Sequence, residues 1–162
     1  MSIFVQPTEA PAYKDNLTAV ASLCLAAIFI LMAVGQLFKF ERFPDLLGGY
    51  WIIGGQAMAH LLAALLVTAE VFALPFLLRV RVSPLMRIVS LLAGGFVALS
   101  WLLLSFWVVV TPNNLVNAGI VGASVRLHPG VWQIIFSLVL VGLVIFTSWK
   151  QKSIFRLLSR KS

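Results

Sequence analysis

The chain has 162 residues, 61% of them hydrophobic and only 10% charged, with a formal net charge of +7. Soluble domains carry about 45–50% apolar and about 25% charged residues, so this composition excludes an ordinary soluble domain and indicates a membrane protein. The basic excess does not indicate nucleic acid, because the basic residues flank apolar runs, where they orient a membrane chain.

Four windows approach or reach the about 20 apolar residues that cross a bilayer: Leu17–Phe38, Ala57–Leu78, Ile88–Val110 and Val131–Trp149, numbered 17–38, 57–78, 88–110 and 131–149. None contains Lys, Arg or Asp. They predict an all-α membrane protein, a bundle of four transmembrane helices forming a single membrane domain over 1–162.

Residues 1–16 carry Pro7 and Pro11 and predict a short arm, with Asp15 or Asn16 capping the first helix. The first window, at 22 residues, is longer than the about 7–15 apolar residues of a secretory signal. Its flank holds Glu9, Lys14 and Asp15 rather than a basic cluster, so a retained helix is expected. Its small residues (Ala19, Ala26, Ala33 and Gly35 among them) allow close helix approach. Cys24, the one cysteine, falls in this helix and reads as a small buried apolar residue. A lone cysteine excludes an intrachain disulfide, a dithiol pair and a cysteine metal cluster. Gln36 and Lys39 end the helix on its outer side.

The segment KFERFPDLLGGYWIIGGQ, 39–56, mixes Lys39, Glu41, Arg42 and Asp45 with Phe40, Phe43, Leu46, Leu47, Tyr50 and Trp51. A plain solvated loop would be less apolar. The composition predicts an interfacial segment, where Trp and Tyr concentrate. A dip between the helices is allowed only where protein covers the backbone.

The second window contains His60, Glu70 and Pro75. Pro75 removes a backbone donor from its C-terminal half and leaves the Val71 carbonyl without its usual partner. The link RVRVSP reads as a tight basic turn, with Pro84 as a stop. In the third window, Ala93, Gly94, Gly95 and Ala98 read as a helix-contact face. The 111–130 segment has turn chemistry at both ends, TPNN and HPG. The tail 150–162 interleaves Lys150, Lys152, Arg156, Arg160 and Lys161 with apolar residues and reads as a membrane-surface tail.

Nine of the twelve Lys and Arg residues lie before the first window, between the second and third, or after the fourth. Lys39, Arg42 and Arg126 make up the other side. The positive-inside rule then places both termini in the cytoplasm.

Glu70 is the exception inside a window. An acidic residue near the centre of a membrane helix costs about 2.5–3.5 kcal/mol on insertion scales. It is expected to face the bundle interior, either protonated or hydrogen-bonded. If helices one to four stand in register, its depth-mates are Cys24, Ser100, and Ser137 or Gly142. His60 lies ten residues earlier, about 15 Å along the helix axis, and forms no dyad with Glu70. The candidate ligand or proton site is therefore Glu70 with Lys39, Gln36, Tyr50 and His60. Glu41, Arg42, Asp45 and Trp51 form the candidate partner-facing outer loop. No metal site is expected, and no nucleophile–base pattern indicates catalysis by this chain alone.

Read in order, AVGQLFKF closing the first helix, then the aromatic, acidic ERFPDLLGGY, then a helix carrying AEVFALPFLL, this chain resembles the DoxX/MauE-like group of small four-helix membrane proteins. The features of the resemblance fall on Gly35, Lys39, Tyr50 and Glu70 and are spread over 25–105. The resemblance implies an accessory protein of an envelope redox or protein-maturation system, set in a bacterial cytoplasmic membrane. MauE-type members often carry a cysteine pair after helix three, where this chain reads NAGIVGAS and has none. A role without its own thiol pair is what remains. One alternative is a subunit of an electron-transfer complex that binds quinone or another small ligand, with Glu70 and aromatic residues lining a pocket. Another is a structural subunit in which Glu70 pairs with a second chain. Each implies a membrane or envelope protein as partner, besides the lipid bilayer.

Overall fold

The computed structural model of the protein describes residues 16–51, 54–111, 116–123, 125 and 127–149. The elements are α1 (Asn16–Phe38), a 3-10 turn (Phe40–Arg42), α2 (Phe43–Gly48), α3 (Gly55–Leu77), α4 (Pro84–Val110) and α5 (Val131–Trp149). α1, α3, α4 and α5 are long and apolar enough to cross a membrane. The chain is thus a multi-pass helical membrane protein in which α1 packs on α3, α3 on α4, α4 on α5, and α5 back on α1.

Each spanning helix buries one stripe at helical spacing. On α1 it runs Thr18, Ser22, Leu25, Ala26, Phe29, Met32, Ala33 and Gln36. On α3 it includes Ala59, Ala63, Leu66, Val67, Glu70, Ala73, Phe76 and Leu77. Glu70 is therefore in phase with the core face, as the sequence predicts. The outward faces carry Leu31, Leu92, Leu103 and Val139, all exposed. In water such a surface would drive association; against acyl chains it is simply solvated. α5 shows the reversal most plainly, since Gln133, Ser137 and Thr147 are buried while Ile135, Leu138 and Val139 face out.

Three expectations need correction. Pro84 does not mark a stop. It opens α4 in the first turn, where a missing N–H costs nothing, and the Ser83 hydroxyl accepts from the Met86 N–H at 3.2 Å. Arg87 is consequently part of α4 and buried. Cys24 is exposed on the outside of α1, not buried. The small-residue face of α4 splits: Gly94 and Ala98 are buried, with Gly94 against Phe29 and Ala73, whereas Gly95 faces open space. Lys14 and the tail residues Lys150, Lys152, Arg156, Arg160 and Lys161 lie outside the described residues.

The helices are not in register. Glu70 stands fifteen residues after the start of α3, about 22 Å along its axis. Gln36 stands two residues before the end of α1, yet its side chain is hydrogen-bonded to Glu70. α1 therefore ends beside the middle of α3, and α2 packs against α3 in place of a continuing α1. Phe43, Pro44, Leu47 and Tyr50 are buried there, so residues 43–50 of the 39–56 segment do pack inward. Its charged residues Lys39, Glu41, Arg42 and Asp45 stay exposed.

Candidate functional site

The bundle interior contains a chain of polar contacts centred on the end of α1. The Gln36 amide Nε2 donates to Glu70 Oε1 at 2.9 Å and to the Ile120 carbonyl at 3.1 Å. Both side chains are fully buried. Ile120 belongs to the segment between α4 and α5, which folds down onto the end of α1. Asn117 shapes that segment: its Oδ1 accepts from the N–H groups of Gly119 and Leu127 at 3.1 and 3.2 Å. The Ala118 N–H donates to the Leu127 carbonyl at 2.7 Å.

The approach is close because two glycines face each other. A Cβ on Gly122 would lie 2.1 Å from the Gly35 carbonyl oxygen, and one on Gly35 would lie 2.5 Å from the Val121 carbonyl oxygen. Gly122 also holds φ +73°, a left-handed conformation that suits glycine.

Tyr50 secures the other side. Its hydroxyl donates to the Ala118 carbonyl at 2.6 Å and accepts from Gln133 Nε2 at 3.2 Å. The Tyr50 backbone carbonyl accepts from Trp107 Nε1 at 2.8 Å. Burial pushes the Tyr50 phenol up to about 12, against a smaller opposing effect of the Gln133 hydrogen bond. Gln133 continues the contacts along α5, its carbonyl accepting from the Ser137 hydroxyl at 2.8 Å. Ser137 in turn meets Ser105 of α4 at 2.9 Å.

The structure thus joins Glu70 to Gln36 directly, links Tyr50 to them only through the 118–120 backbone, and leaves Lys39 and His60 out. Lys39 is exposed at the start of the 3-10 turn. His60 is exposed, with its Nδ1 2.8 Å from the Gln56 carbonyl one turn earlier. The depth-mates expected for Glu70 are not its partners. Cys24 and Gly142 face outward, Ser100 is half-buried, and Ser137 bonds to Ser105. The in-register assumption fails for the reason above: α1 stops halfway up α3. Sequence reasoning also missed Gln133, Asn117 and Trp101. A glutamine inside an otherwise apolar window, and an asparagine before alternating glycines, are the signals that pointed to the first two.

Four buried polar atoms in this interior have no hydrogen-bond partner among the described residues: Gln36 Oε1, Glu70 Oε2, Trp101 Nε1 and Gln133 Oε1. The Trp101 indole acts on the Glu70 carboxyl, but the two do not meet in hydrogen-bond geometry. At the protein surface, Asp45 accepts from Gln56 Nε2 at 2.6 Å. Trp51 is 77% exposed and takes a left-handed φ of +55°, a rare state for a bulky residue. No group of three or more His, Cys, Asp or Glu residues among those described could hold a metal.

An apolar groove of about 720 Å³ runs between α4 and α5, lined by Leu91, Leu92, Gly95, Phe96, Val144 and Trp149 among others. Glu70 is not among its lining residues. Comparison with protein-family models, with curated proteins and with solved structures gives no match.

Proposed function

We propose that this chain is an integral membrane accessory protein, similar to the DoxX/MauE-like group, that assists an envelope redox or maturation system without a thiol pair of its own. On this reading it sits in a bacterial cytoplasmic membrane with both termini inside. The observation that carries it is the division of polar groups. Gln36, Glu70, Tyr50 and Gln133 are spent on holding helices and loop together, while Lys39, Glu41, Arg42, Asp45 and Trp51 stand exposed on one short outer segment. Interior groups that are mutually bonded stabilise a scaffold, and exposed charges beside an exposed Trp are what a partner would read. The segment NAGIVGAS, where MauE-type members carry cysteines, is filled here by the buried Ala118 and Ile120. The test is purification of the tagged full chain in mild detergent, with mass spectrometry of what accompanies it. A discrete protein that is retained by wild type and lost on Glu41→Lys/Arg42→Glu supports the proposal; its absence from both preparations contradicts it.

A second reading is a quinone-binding subunit. The groove of about 720 Å³ between α4 and α5 favours it, being lined by apolar side chains of the kind that would hold an isoprenoid tail. Because Glu70 lies outside that groove, a quinone there would be held by Leu91, Phe96 and Trp149 rather than by the carboxyl. A quinone in the same preparation, lost on Gly95→Phe, would support this reading over the first.

A further inference from the structure

We propose that Glu70 is a proton-binding site whose neutral acid closes a two-point pair with the Gln36 amide, and that this pair latches the outer loop to the bundle. Gln36 Nε2 has two hydrogens, and both are used, one on Glu70 Oε1 and one on the Ile120 carbonyl. That carbonyl only accepts, so it fixes which end of the amide is nitrogen; turned over, Gln36 would set oxygen against oxygen.

Two atoms of the pair are then left over, Gln36 Oε1 and Glu70 Oε2, each buried and without a hydrogen-bond partner among the described residues. With Glu70 as a carboxylate neither atom satisfies the other, because both are acceptors, and the Trp101 Nε1–H does not reach Oε2 in hydrogen-bond geometry. A carboxylic acid satisfies both at once: its O–H donates to Gln36 Oε1 while Oε1 keeps the amide N–H. One proton thus removes two unpaired acceptors from a low-dielectric interior, where each is costly.

Among the described residues, no positive charge is hydrogen-bonded to or paired with the carboxyl instead. The side chains that act on it are Gln36 from α1 and Trp101 from α4, both neutral. α5 contains no charged residue, and the described outer loop reaches Gln36 through the Ile120 carbonyl. On α4 the charged residue is Arg87, fourteen positions before Trp101. On α3 the other ionisable residue is His60, exposed ten positions earlier. Cys24 on α1 faces outward.

The same amide that receives the proton's hydrogen bond holds the loop. Gln36 therefore couples the protonation of Glu70 to the seating of the 117–122 segment, whose amides are protected by Asn117 and Leu127. The device stands apart from any partner.

The test is infrared difference spectroscopy of the full chain in lipid nanodiscs at pH 7, wild type against Glu70→Gln. The chain holds five acidic residues, and those described besides Glu70 are exposed, so an acid carbonyl band can be assigned by its loss in the variant. We expect such a band in wild type, shifted in Gln36→Leu. Absence of any Glu70-dependent acid band overturns the proton site. Hydrogen exchange then reads the latch. The glutamine introduced by Glu70→Gln still donates to Gln36 Oε1, so the 117–122 amides should exchange at the wild-type rate. In Gln36→Leu they should exchange about tenfold faster or more, the equivalent of a lost buried hydrogen bond. Fast exchange in Glu70→Gln overturns the acid–amide pair, and unchanged exchange in Gln36→Leu overturns the latch.

Discussion

Tyr50→Phe removes one oxygen that ties two parts of the fold to Tyr50, the segment between α4 and α5 and α5 itself. The phenol is fully buried. Its hydroxyl satisfies the Ala118 carbonyl in the segment between α4 and α5 and is the hydrogen-bond partner of Gln133 Nε2 on α5. Without it, one buried acceptor and one buried donor are unpaired, and Gln133, whose Oε1 already has no partner, loses its remaining side-chain bond. At about 1–2 kcal/mol for each of the two orphaned groups, the lower part of the usual range, the variant should lose about 2–4 kcal/mol. For a chain of this size that lowers the melting temperature by about 5–15 °C. Thermal unfolding in mild detergent, followed by tryptophan fluorescence, measures it directly, because the Trp107 indole donates to the Tyr50 carbonyl. The same side chain sets an alkaline limit. Above pH 10 the unfolded chain releases the phenol proton, whereas the folded chain keeps it until about pH 12. The folded state then binds more protons, so stability falls across that window, by about 2–3 kcal/mol. Tyr50→Phe should lack this fall. A variant within about 0.5 kcal/mol of wild type at pH 7, with the alkaline fall intact, would refute the reasoning.

The remaining predictions concern the loop seat and the outward faces. Gly35→Ala sets a methyl group against the Val121 carbonyl and should destabilise by about 1–3 kcal/mol, with the outer loop exchanging hydrogen faster. Gly142→Ala, where a Cβ meets nothing within 4 Å, should be neutral or stabilising by up to about 1 kcal/mol in the same melts. Cys24, exposed on a spanning helix, should resist a charged, membrane-impermeant maleimide in intact vesicles and react once detergent strips the lipid. Rapid labelling in vesicles would place this face of α1 in water.

Much of the architecture is legible in the sequence because the bilayer demands long apolar runs, and few other structures satisfy their backbone there. The four windows are found within a few residues of the helices. The differences come from local chemistry, as at Pro84, where a proline read as a stop opens the next helix. The inward face of Glu70 follows from cost alone. Its partner does not, because hydropathy gives lengths and says nothing of stagger. Gln36, a helix-end residue in the sequence, meets Glu70 because α1 stops halfway up α3 and α2 fills the space above. The seating of the loop rests on backbone carbonyls of Ala118 and Ile120, atoms that every residue has and no sequence pattern marks. Cys24 was misread because small apolar residues sit equally well inside a bundle and against lipid.

On the proposed function, the exposed segment from Lys39 to Trp51, not the interior, meets a partner. Photo-crosslinking in intact cells tests it most directly, with the crosslinker placed in turn at Trp51, at Arg42 and, as a lipid-facing reference, at Val139. The account expects one discrete protein adduct from Trp51 or Arg42 and none from Val139. Adducts from Val139 alone, or none from either outer position, would contradict it.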